Sequence, residues 1–159
     1  MSRKLNFLEN LIENDSILLQ QEASNWQEAI KLSTNLLEKA KIINQNYYLN
    51  ILESTAKYGP YYVIMDGFAM PHASGTSDSV FGNGFSLVTL KNPVVFENNV
   101  KVSVLVCVAA IDGETHTKIA IPQLVAIFES PENIAKIASF QTKEQVIDFI
   151  SKIDYTKYL

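Results

Sequence analysis

The sequence predicts an α/β fold: a mixed β-sheet flanked on both faces by helices, in a single domain over residues 1–159. Three observations carry this. Segments whose apolar residues recur at helical spacing alternate with aromatic and β-branched runs, the order expected when helices pack onto a sheet. The run Lys101–Ala110 (KVSVLVCVAA) is apolar at nearly every position, as a strand covered on both faces must be. A chain of 159 residues, 47% hydrophobic and 19% charged, suffices for one domain with a real core and not comfortably for two domains.

Each element has its own local warrant. After a short apolar piece, Ser16–Gln20, the stretch Ser24–Lys41 places Trp26, Ala29, Ile30, Leu36, Leu37 and Ala40 on one helical face, with Ser24 and Gln27 as an expected capping box. A second helix is expected over Gln45–Lys57, capped by Asn44 and ended by Gly59-Pro60. Tyr61–Met65 (YYVIM) reads as a strand. Phe85–Leu90 and Val94–Phe96 read as two more, joined through KNP as an antiparallel hairpin, and Lys101–Ala110 is the expected sheet centre. Helical spacing returns with Ile119, Leu124, Ile127 and Phe128, and Pro122 is expected to bend that helix. Two last helices start at Ser130-Pro131, a cap followed by proline in the first turn, and at Thr142 with Gln145, a capping box.

Composition narrows the function. A net charge of −4 with a single arginine, Arg3, argues against a nucleic-acid partner, because phosphate backbones select clustered basic residues. The N-terminal stretch carries too many charges and amides for a signal-peptide core, and the longest apolar run is too short to span a bilayer, so a cytoplasmic protein not embedded in the membrane is expected. Cys107 is the one cysteine, which excludes an internal disulfide, and its apolar surroundings suit a small buried hydrophobe better than a reactive thiol. No metal site is expected: two histidines with Asp112 and Glu114 are too few.

The chemistry gathers at MDGFAMPHASG, residues 65–75. Gly67 can turn the chain through a positive φ, Pro71 stiffens the approach to His72, and Ala69, Ala73 and Gly75 leave the imidazole room. That loop by itself suits a structural histidine as well as a nucleophile. His116 adds weight to the second reading, because it follows the central strand within the first turn of a helix starting near Thr115. If the two strands are parallel neighbours, both imidazoles meet on the rim where open α/β sheets hold their ligands. A neutral imidazole near its ordinary pKa is a competent nucleophile whose phosphoramidate passes the group on. Ser74, Thr76, the helix N-terminus and, more weakly, Lys57 could steady a phosphoryl group. No GxxxxGK[ST] nucleotide loop is present. The GNG of residues 82–84 reads as a turn before a strand, and Tyr58, Tyr61 and Tyr62 as strand packing.

Taken together, GPYYVIMDGFAMPHA (59–73), GFSLVTLKNPVVF (84–96) and VLVCVAAIDGETH (104–116) resemble the enzyme IIA domains of the bacterial sugar phosphotransferase system (PTS), of the mannitol/fructose type. The layout looks most like the ascorbate-specific subgroup and extends from about Ile12 to Ile150. The resemblance implies a phosphotransferase without cofactor, in which His72 accepts a phosphoryl group from the phosphocarrier protein HPr and passes it to a IIB domain, with the IIC transporter engaged indirectly. It implies that His116 stabilises the phosphoryl group, and that the sugar is ascorbate or a related one. A regulatory IIA-like module whose His72 phosphorylation controls partner binding is the alternative, and a hydrolase using His72 as general base, which lacks a nucleophile, comes last. Relatives of the ascorbate type commonly continue PHA with Arg and Pro where this chain has Ser74-Gly75-Thr76. Asp66 adds a carboxylate expected to lie close to the site. The length favours a free-standing IIA polypeptide.

Overall fold

The central strand organises the molecule because its two faces are both apolar. In the computed structural model, which describes residues 5–73 and 78–157, this strand is Lys101–Ala109, the third of five in the order β1-β4-β5-β3-β2. The strands are β1 (Ile17–Gln21), β2 (Val63–Met65), β3 (Gly67–Ala69), β4 (Gly84–Val95) and β5 (Lys101–Ala109). The sheet is mixed: β1 runs parallel to β4, β4 antiparallel to β5, β5 parallel to β3, and β3 antiparallel to β2. Val104, Val106 and Val108 enter one core, and Leu105, Cys107 and Ala109 enter the other, the period-2 alternation of a strand buried twice.

Helices cover both faces. On the first lie α1 (Phe7–Asn14), α4 (Ile121–Phe128), α5 (Pro131–Ser139) and α6 (Lys143–Ser151), which contribute Phe7, Leu11, Leu124, Ile127, Ile137 and Val146 among others. On the second lie α2 (Trp26–Lys39) and α3 (Asn46–Tyr58), through Ala29, Ile30, Leu37, Tyr47 and Ile51. Cys107 is fully buried there as the small hydrophobe its context suggested.

Several local expectations hold. Ser130 caps α5 with Pro131 following, and Thr142 and Gln145 form a complete capping box on α6. Gly59 ends α3 at φ 77°. Others change. The α2 cap moves one residue on: Asn25 Oδ1 accepts from Glu28 N–H at 2.9 Å, while the Glu28 carboxylate accepts from Ser24 N–H at 2.6 Å, so Ser24 and Gln27 are not the pair. Helix α1 and strand β1 had no assignment from sequence, since eight and five residues show too little period. Asn6 capping Glu9 N–H and the burial of Phe7, Leu8 and Leu11 define the first. Pairing with β4 defines the second.

The strand expected over Tyr61–Met65 is a three-residue β2 that folds back at once into β3. Gly67 makes the turn at φ 85°, in the left-handed region that favours glycine, and an added Cβ would meet Ile134 Cγ2 at 3.1 Å. The KNP stretch is no hairpin. β4 continues through Lys91-Asn92-Pro93, and Pro93 falls where the β4–β5 register shifts between Thr89 and Val94, a place where no ladder donor is required. The β4–β5 hairpin turns instead at Phe96–Val100, with Asn99 at φ 64° and Phe96 N–H bonded to Val100 O at 2.9 Å.

Pro122 stands just after a π-helical turn. Residues Thr115–Ala120 form a π-helical turn leading directly into α4, with Ile121 N–H reaching His116 O. An α-helical register would press the proline ring against the Lys118 carbonyl, and the wider turn avoids that contact without breaking the helix. The buried Gln123 ties this junction to the N-terminal segment: its Nε2 donates to Leu5 O at 2.8 Å and Ile119 O at 2.9 Å, and its Oε1 accepts from Phe7 N–H at 2.8 Å.

Candidate functional site

The sheet brings the two histidines to one rim. Ala69 of β3 pairs in register with Leu105 of β5, so the chain leaving β3 runs alongside β5, and Pro71 O accepts from Val108 N–H at 3.0 Å. His72 follows. His116 arrives through the loop that follows β5, on the π turn. The ring centroids lie 4.7 Å apart, inclined by 50°, and both residues are half-buried.

His72 is held in a defined tautomer. Its Nδ1 lies 2.6 Å from Met70 O, and a carbonyl can only accept, so Nδ1 carries the proton and Nε2 keeps its lone pair. The backbone is held as well. The Tyr61 hydroxyl donates to His72 O, and its ring stands edge-on to the imidazole at 5.3 Å. Tyr47 from α3 accepts from Ala73 N–H at 3.2 Å and donates to Val108 O at 2.6 Å.

Burial pushes the His72 pKa down from 6.5 to about 4, with the charge of His116 acting in the same direction and the Met70 carbonyl opposing both. Burial also lowers His116. The pair is therefore uncharged at neutral pH. The folded protein resists protonation of His72 while the unfolded chain does not, so its contribution to stability is complete above pH 6.5 and is lost as pH falls toward 4. Because the ring retains some solvent contact, that contribution is on the order of 1–3 kcal/mol. Urea unfolding at pH 7 and at pH 4.5 should show wild type losing that much more stability than His72→Gln. Equal losses in the two proteins would contradict the depressed pKa.

Neighbouring candidates separate clearly. Asp112 Oδ1 accepts from Thr115 N–H at 2.7 Å and Asp112 O from His116 N–H at 3.2 Å, so Asp112 already occupies these donors at the helix start. Accepting the Thr115 N–H holds the Asp112 carboxyl below the usual range. Glu114 pairs on the surface with Lys118 at 3.6 Å. Among the described residues no group of three His, Cys, Asp or Glu side chains could hold a metal. Lys57 lies over the Tyr58 ring, 5.2 Å from its centroid. Ser74 and Thr76 fall outside the described residues.

Asp66 is not close to the imidazoles. It is exposed in the β2–β3 turn, at the opposite end of β3, which an extended chain places on the order of 15–20 Å from His72. Of the three tyrosines read as strand packing, only Tyr62 is fully buried; Tyr58 ends α3 exposed, and Tyr61 touches His72. The GNG segment is a turn entering β4, and Asn83 Oδ1 accepts from Ile111 N–H at 2.8 Å, which ties the loop before β4 to the loop after β5. Phe81 and Ile111 stand exposed on those loops, at 60% and 57%.

Sequence reasoning missed Tyr47, Phe81 and Ile111. Nothing local marks them, since a tyrosine in a helix and apolar residues in short loops are ordinary until the sheet order is known.

Comparison with other proteins places this geometry. The Escherichia coli (strain K12) ascorbate-specific PTS system EIIA component is 42% identical over 146 residues, which cover 91% of this chain and 94% of that protein. The solution structure of the mannitol-specific cryptic phosphotransferase enzyme IIA CmtB from Escherichia coli superposes with a TM-score of 0.78 at 31% identity, covering 90% of this chain and 99% of that one. The complex of enzyme IIA-mannitol with phosphorylated enzyme IIB-mannitol from Escherichia coli shares the fold, with a TM-score of 0.75 at 21% identity over 86% of this chain and 94% of that one. Residues 10–153 match the family described as phosphoenolpyruvate-dependent sugar phosphotransferase system, EIIA 2. With that match spanning the sheet, both helical layers and both histidines, the chain belongs to the EIIA 2 family of the sugar phosphotransferase system.

Proposed function

We propose that this protein is the phosphocarrier of a sugar uptake system, taking a phosphoryl group from phospho-HPr onto Nε2 of His72 and passing it to a IIB domain. The observation that supports this most is the paired rings: a neutral imidazole with one nitrogen tied to Met70 O and the other without a hydrogen-bond partner among the described residues, 4.7 Å between centroids from a second imidazole. In the transfer, the Nε2 lone pair of His72 forms an N–P bond as the N–P bond of the donor phosphohistidine breaks. Positive charge then develops on the His72 ring, and the Nδ1–H bond to Met70 O stabilises it. The dianionic phosphoryl group beside His116 raises that ring's pKa, so His116 becomes a donor as the charge arrives.

Partner recognition has support in the exposed apolar Phe81 and Ile111 on loops flanking the same rim, since such residues around a reactive group favour protein docking. A protein of the same fold, IIA-mannitol, forms a complex with phosphorylated IIB-mannitol. The 42% identity to ascorbate-specific components favours ascorbate or a related sugar, with the IIC transporter engaged through IIB, and with the protein acting in the cytoplasm. Among the described residues no helix is long and apolar enough to cross a membrane.

The test is incubation with enzyme I, HPr and phosphoenolpyruvate, followed by intact-mass measurement and then addition of IIB proteins. One phosphoryl group should appear and be lost within seconds to a IIB of ascorbate type. A protein that takes up no phosphoryl group would overturn the proposal. One that retains it with every IIB offered, while its affinity for another partner changes, would favour a regulatory module instead.

A further inference from the structure

The His72 loop contains a break in the sheet, filled by one atom. Continuing the register from Ala69–Leu105 puts His72 opposite Val108. In a parallel ladder the residue opposite Val108 would be bracketed by two bonds, Val108 N–H to Pro71 O and Ala73 N–H to Val108 O. The first is present at 3.0 Å. In place of the second, the Tyr47 hydroxyl accepts from Ala73 N–H at 3.2 Å and donates to Val108 O at 2.6 Å. Two bonds in series thus stand where one of about 2.9 Å would close the rung. The phenol comes from α3, on the face of the sheet lined by Leu105, Cys107 and Ala109, and Tyr47 is 3% exposed.

We propose that Tyr47 is a positioning residue for His72, its hydroxyl acting as a wedge that holds the chain beyond His72 away from β5 so that the imidazole stands against His116. This rests on the phosphocarrier reading of the same site. Removing the hydroxyl leaves Val108 C=O and Ala73 N–H facing each other unpaired in a buried gap, and the two close directly on one another as an ordinary rung. That closure draws Ala73 toward β5 and turns His72 away from the Met70 carbonyl and from His116. Burial raises the Tyr47 pKa, so the hydroxyl stays protonated and keeps its donor role across the working pH range.

Tyr62 supplies the control. It is also fully buried with a bonded hydroxyl, to Thr55 at 2.8 Å, and among the described residues that hydroxyl makes no bond to the His72 loop; only the Tyr62 backbone carbonyl does, accepting from Met70 N–H at 2.9 Å, a bond that phenylalanine keeps. The experiment compares wild type, Tyr47→Phe and Tyr62→Phe in single-turnover phosphorylation over a range of phospho-HPr concentrations. In parallel, ¹⁵N-histidine spectra at pH 7 report the tautomer of His72. Tyr47→Phe should be labelled about tenfold more slowly at saturation, with the half-saturating HPr concentration unchanged and the His72 Nδ1–H tautomer replaced by a mixture. Tyr62→Phe should match wild type in both measurements. A wild-type rate and spectrum for Tyr47→Phe, or equal losses in the two variants, would overturn the wedge. If wild type itself takes up no phosphoryl group, the carrier reading fails, and the wedge is then decided by the His72 spectrum alone.

Discussion

His72→Gln should abolish phosphoryl uptake from phospho-HPr, leaving an intact mass unchanged after incubation with enzyme I, HPr and phosphoenolpyruvate. Glutamine keeps a polar group of similar reach at the position, so the fold is expected to survive. What it lacks is a nucleophilic nitrogen: an amide NH₂ has its lone pair delocalised into the carbonyl, whereas the Nε2 of neutral His72 holds its lone pair in the ring plane, free for in-line attack. The expected loss is complete, because among the described residues no second group at the rim is placed to replace it. His116 is the only other imidazole in the chain. Its backbone is held on the π turn through Asp112 O and Ile121 N–H. A labelled His72→Gln protein that loses its label when His116 is also replaced would assign the nucleophile to His116 and reverse the two roles.

His116→Ala should produce the second-largest effect, and of a different kind. Labelling at His72 still reaches the same end-point, since the nucleophile and its tie to Met70 O remain. Transfer onward to IIB should slow by about 100-fold, the usual cost of removing one preorganised donor from developing phosphoryl charge, equivalent to about 2.7 kcal/mol of barrier. Rapid-quench measurement of phosphoryl loss from the labelled variant to IIB gives the number. Onward transfer at the wild-type rate would make His116 a packing residue only. His116→Gln, which restores a donor without a titrating ring, should recover part of the loss. That recovery separates hydrogen-bond donation from the charge His116 gains when the phosphoryl group arrives.

The legible parts of this protein are those in which the deciding interactions span a few residues. The Ser130 cap with Pro131, and the Thr142–Gln145 capping box, are complete within four residues, and both appear as expected. The alternation of β5 is equally local, so its place at the sheet centre followed from a run of apolar side chains. Errors arose where a local signal competed with a tertiary one. Lys91-Asn92-Pro93 reads locally as a hairpin turn, yet β4 runs on through it, because the β4–β5 ladder skips a rung there. At Pro122 the helix widens to a π turn, which no local signal announced. Asp66 looked close to His72 in sequence, and the β2–β3 turn sends it to the other end of β3.

By itself the sequence determined which residues form helices and strands with a full period, which strand is buried twice, and that a histidine stands in a small-residue loop after a proline. Only the tertiary structure decided that β3 lies beside β5 in parallel, and with it that His72 meets His116, that Tyr61 faces the imidazole and that a phenol from α3 enters the gap at Ala73. Side-chain periodicity records which face of an element is buried and carries no information about which neighbour buries it. Strand order is set by the simultaneous packing of both cores, a property of the whole chain and of no segment within it.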